Sequence, residues 1–298
     1  MYDRIVIAVD GSDEARRAAR RGLELAKAVE AEVTVVSVLE RKTLRLTETA
    51  EEKRQLRERG EEALAEIETL AAEVGHAVRT ELLEGKPAAQ IREHAATTDA
   101  ELLVVGRQGR TGLGRRLLGG VTEQLLHRSD VPVLVVPDGD HDGEAVSDWS
   151  DILITTDGSE NAEMAVPHGI GVAERCASTV HVLNVVDLQA AGGVFDAGGL
   201  DRAFIERLET RGEEAVDRVA SDIEESTPAL SVETAVERTT SFDGAAAGVE
   251  AYVEANSIDL VVLGSHGRSN LKRQLLGSVA STVLRTVDVP VLVVTRPD

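Results

Sequence analysis

Hydrophobic residues along the chain follow two alternating patterns. Short apolar runs dominated by Val, Ile and Leu, such as residues 5–9, 102–105 and 260–263, indicate strands that are buried on both faces. Between such runs, small and apolar residues recur at helical spacing, as at Ala15, Ala18 and Ala19. Strands that alternate with helices predict parallel sheets with right-handed crossovers.

The whole pattern occurs twice. The turn Asp10-Gly11-Ser12 after the first strand returns 147 residues later as Asp157-Gly158-Ser159, and Gly106 returns 158 residues later as Gly264. We therefore predict two duplicated α/β domains, domain 1 over residues 1–137 and domain 2 over 150–298, joined by an acidic linker over 138–149. The extra residues of domain 2 are expected in a loop over 187–200 and around 239–244, and Pro167 is expected to kink its first helix slightly.

Composition narrows the class of protein. The 298 residues are 42% hydrophobic, which is enough for two cores, although only 2% are aromatic. The single Cys176 excludes an internal disulfide framework and a cysteine-based metal site. No apolar run approaches the ~18 residues of a membrane span and no signal peptide opens the chain, so we expect a cytoplasmic protein without membrane insertion.

The chain is strongly acidic, with a net charge of −21. This charge disfavours binding to nucleic acid or to an anionic membrane. An acid-rich, lysine-poor composition is also typical of extreme halophiles, so a haloarchaeal source is expected; the alternative is simply an acidic protein.

The main candidate site follows the strand over 260–263. Gly264 and Gly267 allow close backbone approach to a ligand, and Gly277-Ser278 stands at a predicted helix N-terminus, where N–H groups and a hydroxyl suit phosphate. Arg268, Lys272 and Arg273 add positive charge between them. His266 is expected to be a loop residue near phosphate, not a catalyst. The alternative for the glycines is an ordinary tight turn.

Domain 1 repeats the loop with Gly106, Gly109, Gly119 and Gly120. Gly120 replaces Ser278, which removes one hydroxyl donor but leaves the backbone N–H groups, so we expect weaker but not abolished phosphate binding. Partial compensation is expected from four loop arginines: Arg107, Arg110, Arg115 and Arg116.

These spacings, the Asp-Gly-Ser turn and the final Val-Pro-Val-Leu-Val-Val strands resemble the universal stress protein family, over nearly the whole chain and twice. The resemblance implies a Rossmann-like fold of the adenine nucleotide alpha hydrolase-like kind, with a five-stranded parallel sheet of order 3-2-1-4-5. It also implies ATP as ligand, with Mg²⁺ as a candidate companion. In such a sheet the ligand is expected where strands one and four diverge.

The resemblance further assigns site residues. In domain 2, adenine and ribose would meet Thr156, Asp157 and Val185, with Leu263 and Val279 as apolar walls, and the glycine loop with Ser278 would serve the phosphates. The matching positions in domain 1 are Val9, Asp10, Val38, Val105, Gly106, Gly109, Gly119, Gly120 and Val121. For Asp10 and Asp157, bracing of the turn is an equal alternative to contact with the nucleotide or Mg²⁺.

Enzyme signatures are missing from the sequence. It has no G-x-x-x-x-G-K-[ST] loop, no G-x-G-x-x-G fingerprint after the first strand and no Ser/His/Asp arrangement. We therefore expect an ATP-binding stress-response or regulatory protein with at most slow hydrolysis. The alternatives are a nucleotide-independent interaction module and a true ATPase. The resemblance also implies that the two domains pair within the chain through their final strands, as a pseudo-dimer. Further association of two chains into a homodimer is left open.

Overall fold

The computed structural model describes residues 1–40, 50–109, 117–138, 146, 149–192, 202–267 and 276–295. The chain divides into two compact units, Met1–Ser147 and Asp148–Asp298. Most of the predicted linker, and Arg110, Arg115, Arg116, Arg268, Lys272 and Arg273, lie outside the described residues.

Domain 1 alternates strands and helices throughout. Its elements are β1 (Arg4–Val9), α1 (Asp13–Val29), β2 (Glu32–Glu40), α2 (Ala50–Val74), β3 (Val78–Gly85), α3 (Pro87–Thr97), β4 (Leu102–Gly106), α4 (Gly120–Arg128) and β5 (Val133–Val136). All pairings are parallel, in the order β3-β2-β1-β4-β5, and Ile7 of β1 lies between Val35 of β2 and Val104 of β4. This arrangement confirms the predicted fold class.

Domain 2 repeats the architecture. Its elements are β6 (Asp151–Thr155), α5 (Glu160–Glu163), α6 (Val166–Cys176), β7 (Thr179–Asp187), α7 (Leu188–Gly192), α8 (Arg202–Ser226), β8 (Val232–Thr239), α9 (Ala245–Ala255), β9 (Leu260–Gly264), α10 (Ser278–Thr286) and β10 (Val291–Val294). Its sheet order is β8-β7-β6-β9-β10, again all parallel. Ile154 occupies the central position that Ile7 holds in domain 1.

The first helix of domain 2 is interrupted near Pro167, where the sequence predicts a slight kink. It is divided into α5 and α6, with Pro167 in the first turn of α6. Proline has no N–H to donate to the preceding turn, and its ring clashes with that turn's carbonyl. The hydrogen bonding is therefore interrupted before Pro167, while Met164 and Ala165 keep right-handed helical dihedrals, as in a proline kink. Ser159 Oγ caps α5 by accepting from Ala162 N–H at 3.3 Å, as Ser12 Oγ caps α1 by accepting from Ala15 N–H at 3.2 Å.

The segment predicted as a loop over 187–200 begins with a helix, α7. Asp187 Oδ1 accepts hydrogen bonds from the backbone N–H groups of Gln189 and Ala190, both at 2.9 Å. A side-chain acceptor in this position stabilises a helix N-terminus. The other expected insertion is present, because β8 ends at Thr239 and α9 begins only at Ala245, whereas α3 begins two residues after β3 ends.

Candidate functional site

The candidate site lies at the carboxyl ends of the central strands. In domain 1, β1 pairs with β2 on one side and β4 on the other, so the chain leaves the sheet in opposite directions at this point. Asp10 directly follows β1, and Gly106 ends β4. In domain 2, Asp157 and Gly264 stand in the corresponding places near the ends of β6 and β9. Ligands of open parallel sheets bind in such crevices.

A cavity of about 360 Å³ opens at this edge of domain 1. The structure brings together in its lining the nine domain 1 residues that the family resemblance assigned: Val9, Asp10, Val38, Val105, Gly106, Gly109, Gly119, Gly120 and Val121. Glycines of the loop belong to the lining, and valines from β1, β2 and β4 supply apolar surface. The cavity thus joins an apolar wall to a backbone rich in glycine.

Other parts of the lining were not predicted from the sequence. They come from the end of β2, from α2, and from the first turns of α3, and comprise Leu39, Glu40, Leu56, Arg59, Gly60, Pro87 and Ile91. These residues belong to ordinary strand and helix patterns, so nothing in their spacing distinguishes cavity from core. Their proximity to the glycine loop is a product of sheet order.

The aspartates brace the turn after the first strand of each domain. Asp10 Oδ1 accepts from Ser12 N–H at 3.0 Å and from Ser12 Oγ–H at 2.6 Å. Asp157 Oδ1 accepts from Ser159 N–H at 3.0 Å. Bracing, one of the two predicted roles, is therefore present in both domains.

The second carboxylate oxygen explains the second glycine of each loop. A Cβ on Gly109 would lie 2.4 Å from Asp10 Oδ2, and a Cβ on Gly267 would lie 2.5 Å from Asp157 Oδ2. Carbon and oxygen atoms cannot approach so closely without displacement, and neither glycine has a positive φ. The aspartate side chain fills the space that a Cβ would need, so any other residue at either position must displace that side chain.

The helix after each loop begins in the same way. Gly119 N–H donates to Arg107 O at 2.9 Å, and Gly277 N–H donates to Ser265 O at 2.8 Å. The following residues, Gly120 and Ser278, open α4 and α10. The first N–H groups of a helix have no acceptor within the helix, so both loops present donors at this point.

A family comparison agrees with these features. The model of the universal stress protein family matches residues 1–137 and again 149–295. The chain belongs to the universal stress protein family. It carries two tandem domains of that family, and none of the described helices combines the length and hydrophobicity that crossing a bilayer requires.

Individual relatives extend the comparison. A universal stress protein of Methanocaldococcus jannaschii is 40% identical over 141 residues, which cover 46% of this chain and 82% of the relative. One from Mycobacterium bovis is 30% identical over 232 residues, covering 76% of this chain and 72% of the relative. The crystal structure of a universal stress protein from Archaeoglobus fulgidus matches with a TM-score of 0.72 at 22% identity, covering 99% of this chain and 97% of that one, which shows the shared fold.

The universal stress protein domains of this chain differ beneath the glycine loop. In domain 1, Glu14 Oε1 of α1 accepts from Gln108 N–H at 2.9 Å. Burial raises the pKa of the Glu14 carboxyl, while the Gln108 N–H and Arg107 oppose that shift. Sequence reasoning missed Glu14. The repeat offset of 147 residues was the available signal, because it aligns Glu14 with Asn161.

Arg107 does not lie where the sequence placed it. It was predicted as one of four loop cations for phosphate, but only 2% of its surface is exposed. The reason is its position directly after β4, where its N–H donates to Val136 O at 2.8 Å and its carbonyl accepts from Gly119. Arg107 lies among the core side chains and stabilises the negative charge of Glu14.

Domain 2 holds its predicted residues near the same edge. Thr156 is buried, its Oγ1 accepts from Gly158 N–H at 3.0 Å, and its carbonyl accepts from Asn184 Nδ2 at 2.8 Å. Val185 packs against Gly248 of α9, where a Cβ would lie 2.5 Å from its Cγ1. Leu263 is buried, whereas Val279 is 39% exposed. Ser278 is exposed at the start of α10.

His266 and Asn161 carry buried polar atoms under the domain 2 loop. His266 Nδ1 lies 3.0 Å from Ser265 Oγ. His266 Nε2 and Asn161 Oδ1 are buried and have no hydrogen-bond partner among the residues that the structure describes. Within that same part of the chain, no group of three or more His, Cys, Asp or Glu residues is arranged to hold a metal ion.

Proposed function

We propose that this universal stress protein is a stress-response regulator that binds an adenine ligand at the carboxyl edge of each sheet, with ATP as the first candidate in domain 2. The observation that carries the proposal is the domain 1 cavity, in which all nine residues selected from the sequence converge.

The character of the cavity supports this class of ligand. Its valines and Ile91 offer apolar surface suited to an adenine ring, and its volume of about 360 Å³ is within the usual range for small-molecule sites. Gly119 and Gly120 bring the N-terminus of α4 to the same cavity. Backbone N–H groups at a helix N-terminus favour phosphate.

We expect tighter phosphate binding in domain 2. Ser278 offers a hydroxyl at the position where domain 1 has Gly120, and both begin their helices. Asp157 is a candidate to contact the ribose or a Mg²⁺ ion bound with the nucleotide. This contact would use its second carboxylate oxygen, because Oδ1 braces the turn.

Binding without substantial turnover is the expected activity. The candidate acids Asp10 and Asp157 accept hydrogen bonds that brace their turns, so we do not assign either of them as a general base. Weak ATP hydrolysis is the upper limit we expect. A cytoplasmic location, pairing of the two domains and a further homodimer remain predictions from the sequence.

The second candidate is an interaction module that needs no nucleotide. One observation favours it: the Asp10–Gly109 and Asp157–Gly267 contacts account for a glycine in each loop without a ligand. Under this alternative the loops are structural.

Nucleotide released from the purified, denatured chain separates the candidates. We expect about one adenine nucleotide per chain after purification in high salt with Mg²⁺, and Ser278→Ala should weaken rebinding of ATP about tenfold, the effect of one charge-assisted hydrogen bond. Ser281→Ala, in the next turn of α10, is the matched control. A chain that releases none and binds no added ATP would leave the interaction module.

A further inference from the structure

The glycine loop of domain 1 already holds a negative charge. Glu14 reaches from the first turn of α1 to the loop, and its Oε1 takes the Gln108 N–H at 2.9 Å. Its Cγ lies 3.2 Å from the position of a Cβ on Gly106. The carboxylate is thus packed against the backbone that lines the cavity, since both Gly106 and Gln108 belong to the lining.

Domain 2 has an uncharged residue at the position that corresponds to Glu14. Asn161 stands at the position of Glu14 and His266 at that of Gln108. Among the described residues the His266 N–H has no acceptor, and Asn161 Oδ1 is buried without a partner. The loop donor that is occupied in domain 1 is therefore without an acceptor in the described part of domain 2.

The charges around Glu14 come from three elements. Arg107 follows β4, Arg17 lies one turn further along α1, and Asp138 follows β5. Arg17 is paired with Asp138, so those two largely cancel. Arg107 is buried and offsets only part of the Glu14 charge, and it does not itself belong to the cavity lining.

We propose that Glu14 is a specificity-determining residue, which makes the domain 1 cavity select an adenine ligand of low charge, such as a nucleoside, over a triphosphate, while Asn161 leaves domain 2 open to the triphosphate. Two physical effects act together. The carboxylate occupies a backbone donor that phosphate would otherwise use, and it repels the added negative charge. The inference rests on the proposed nucleotide binding.

The test resolves the two domains within the intact chain. The photoprobe 8-azidoadenosine labels the protein, and peptide mass spectrometry assigns the labelled domain while ATP or adenosine competes. In the wild type, adenosine should displace the domain 1 label at lower concentration than ATP. Glu14→Asn should lower the competing concentration of ATP at domain 1 by roughly tenfold or more, with adenosine unchanged. Asn161→Glu should raise that of ATP at domain 2.

Further variants separate charge from hydrogen bonding. Glu14→Gln keeps an acceptor for Gln108 N–H but removes the charge, so an intermediate gain for ATP is expected. Asp13→Asn removes an exposed carboxylate of the same helical turn and should change nothing. Because burial raises the pKa of Glu14, acidifying the wild type should also favour ATP at domain 1, and this response should vanish in Glu14→Asn.

The outcomes distinguish failure of the Glu14 proposal from failure of the proposed nucleotide binding. Labelling of domain 1 with an unchanged ATP-to-adenosine ratio in both Glu14 variants would overturn the role of Glu14 and leave nucleotide binding intact. Absence of specific labelling in either domain, with no binding of added ATP, would overturn both.

Discussion

The two glycine loops share a backbone and differ in what lies beneath it. In both, the residue before the helix donates to the residue after the strand, at 2.9 Å in domain 1 and 2.8 Å in domain 2. In both, an aspartate fills the space of a glycine Cβ. The side chains below are Glu14 and Arg107 in one domain and Asn161 and Ser265 in the other. The two domains share the backbone contacts of the loop, but only domain 1 has charged side chains at these two positions beneath it.

The largest expected effect comes from the first glycine of each loop. A Cβ on Gly264 would lie 2.5 Å from the backbone oxygen of Asn161, so Gly264→Ala must displace α5 or β9. On Gly106 the nearest backbone atom would lie at 3.0 Å, which a small shift accommodates. We expect losses of about 3 and about 1 kcal/mol in the free energy of unfolding, respectively.

Trp149, the single tryptophan, makes this comparison measurable. It is 3% exposed and belongs to the second compact unit, so its fluorescence reports unfolding of domain 2, whereas circular dichroism reports both domains. Gly264→Ala should move the fluorescence transition in urea and Gly106→Ala should not. Equal losses in the two domains would contradict the difference in packing.

The second glycine should show coupling to its aspartate. Gly109→Ala places a methyl group 2.4 Å from Asp10 Oδ2, and we expect a cost of about 2 kcal/mol. In the double variant with Asp10→Ala, part of that cost should disappear because the clash is gone. A double-mutant cycle by urea unfolding measures this coupling. Strictly additive costs would mean that the contact does not set the requirement for glycine.

Exchanging Gly120 and Ser278 should alter binding and leave folding nearly unchanged. A Cβ on Gly120 meets nothing within 4 Å, and Gly120 has no positive φ, so serine fits there without strain. Gly120→Ser should strengthen phosphate binding in domain 1 by about threefold to tenfold, and Ser278→Gly should weaken it in domain 2 by a similar factor. Calorimetric titration with ATP checks both, and an unchanged affinity would assign no role to the hydroxyl.

The smallest expected effect is on the pH dependence of stability. Burial raises the pKa of Glu14, so the folded chain binds a proton that the unfolded chain releases. The Glu14 contribution should therefore lower the stability of domain 1 as pH rises above the ordinary glutamate pKa of about 4.3 and through the raised pKa. Glu14→Gln should flatten this slope in urea midpoints followed by circular dichroism. Asp13→Asn is the control, and an unaltered slope in Glu14→Gln would contradict the assignment.

Much of the fold could be predicted from the sequence because the signals are local. Unbroken apolar runs such as 260–263 predicted strands that the structure confirms. Pro167 interrupts the hydrogen bonding of the first domain 2 helix at the position where the sequence predicts a slight kink. The helix after Asp187 was not predicted, because the glycine-rich sequence around it indicates a loop. The signal for the helix is the cap that the Asp187 side chain provides.

The site was predictable only along its backbone. Glycine spacing located Gly106 and Gly109 in the sequence, but Glu14 and Ile91 reach the loop or the cavity through sheet order and helix packing. Arg107 was predicted as a loop cation for phosphate but is buried. The direction of a side chain that follows a strand depends on the register of that strand in the sheet.

The most direct test of the account is hydrogen exchange of two backbone amides in the ligand-free chain, followed by NMR. The account predicts slow exchange at Gln108, fast exchange at His266, protection of His266 when ATP is added, and loss of protection at Gln108 in Glu14→Ala. Equal exchange at the two amides, or a Gln108 amide that stays protected in Glu14→Ala, would contradict the claim that a built-in carboxylate distinguishes the two loops.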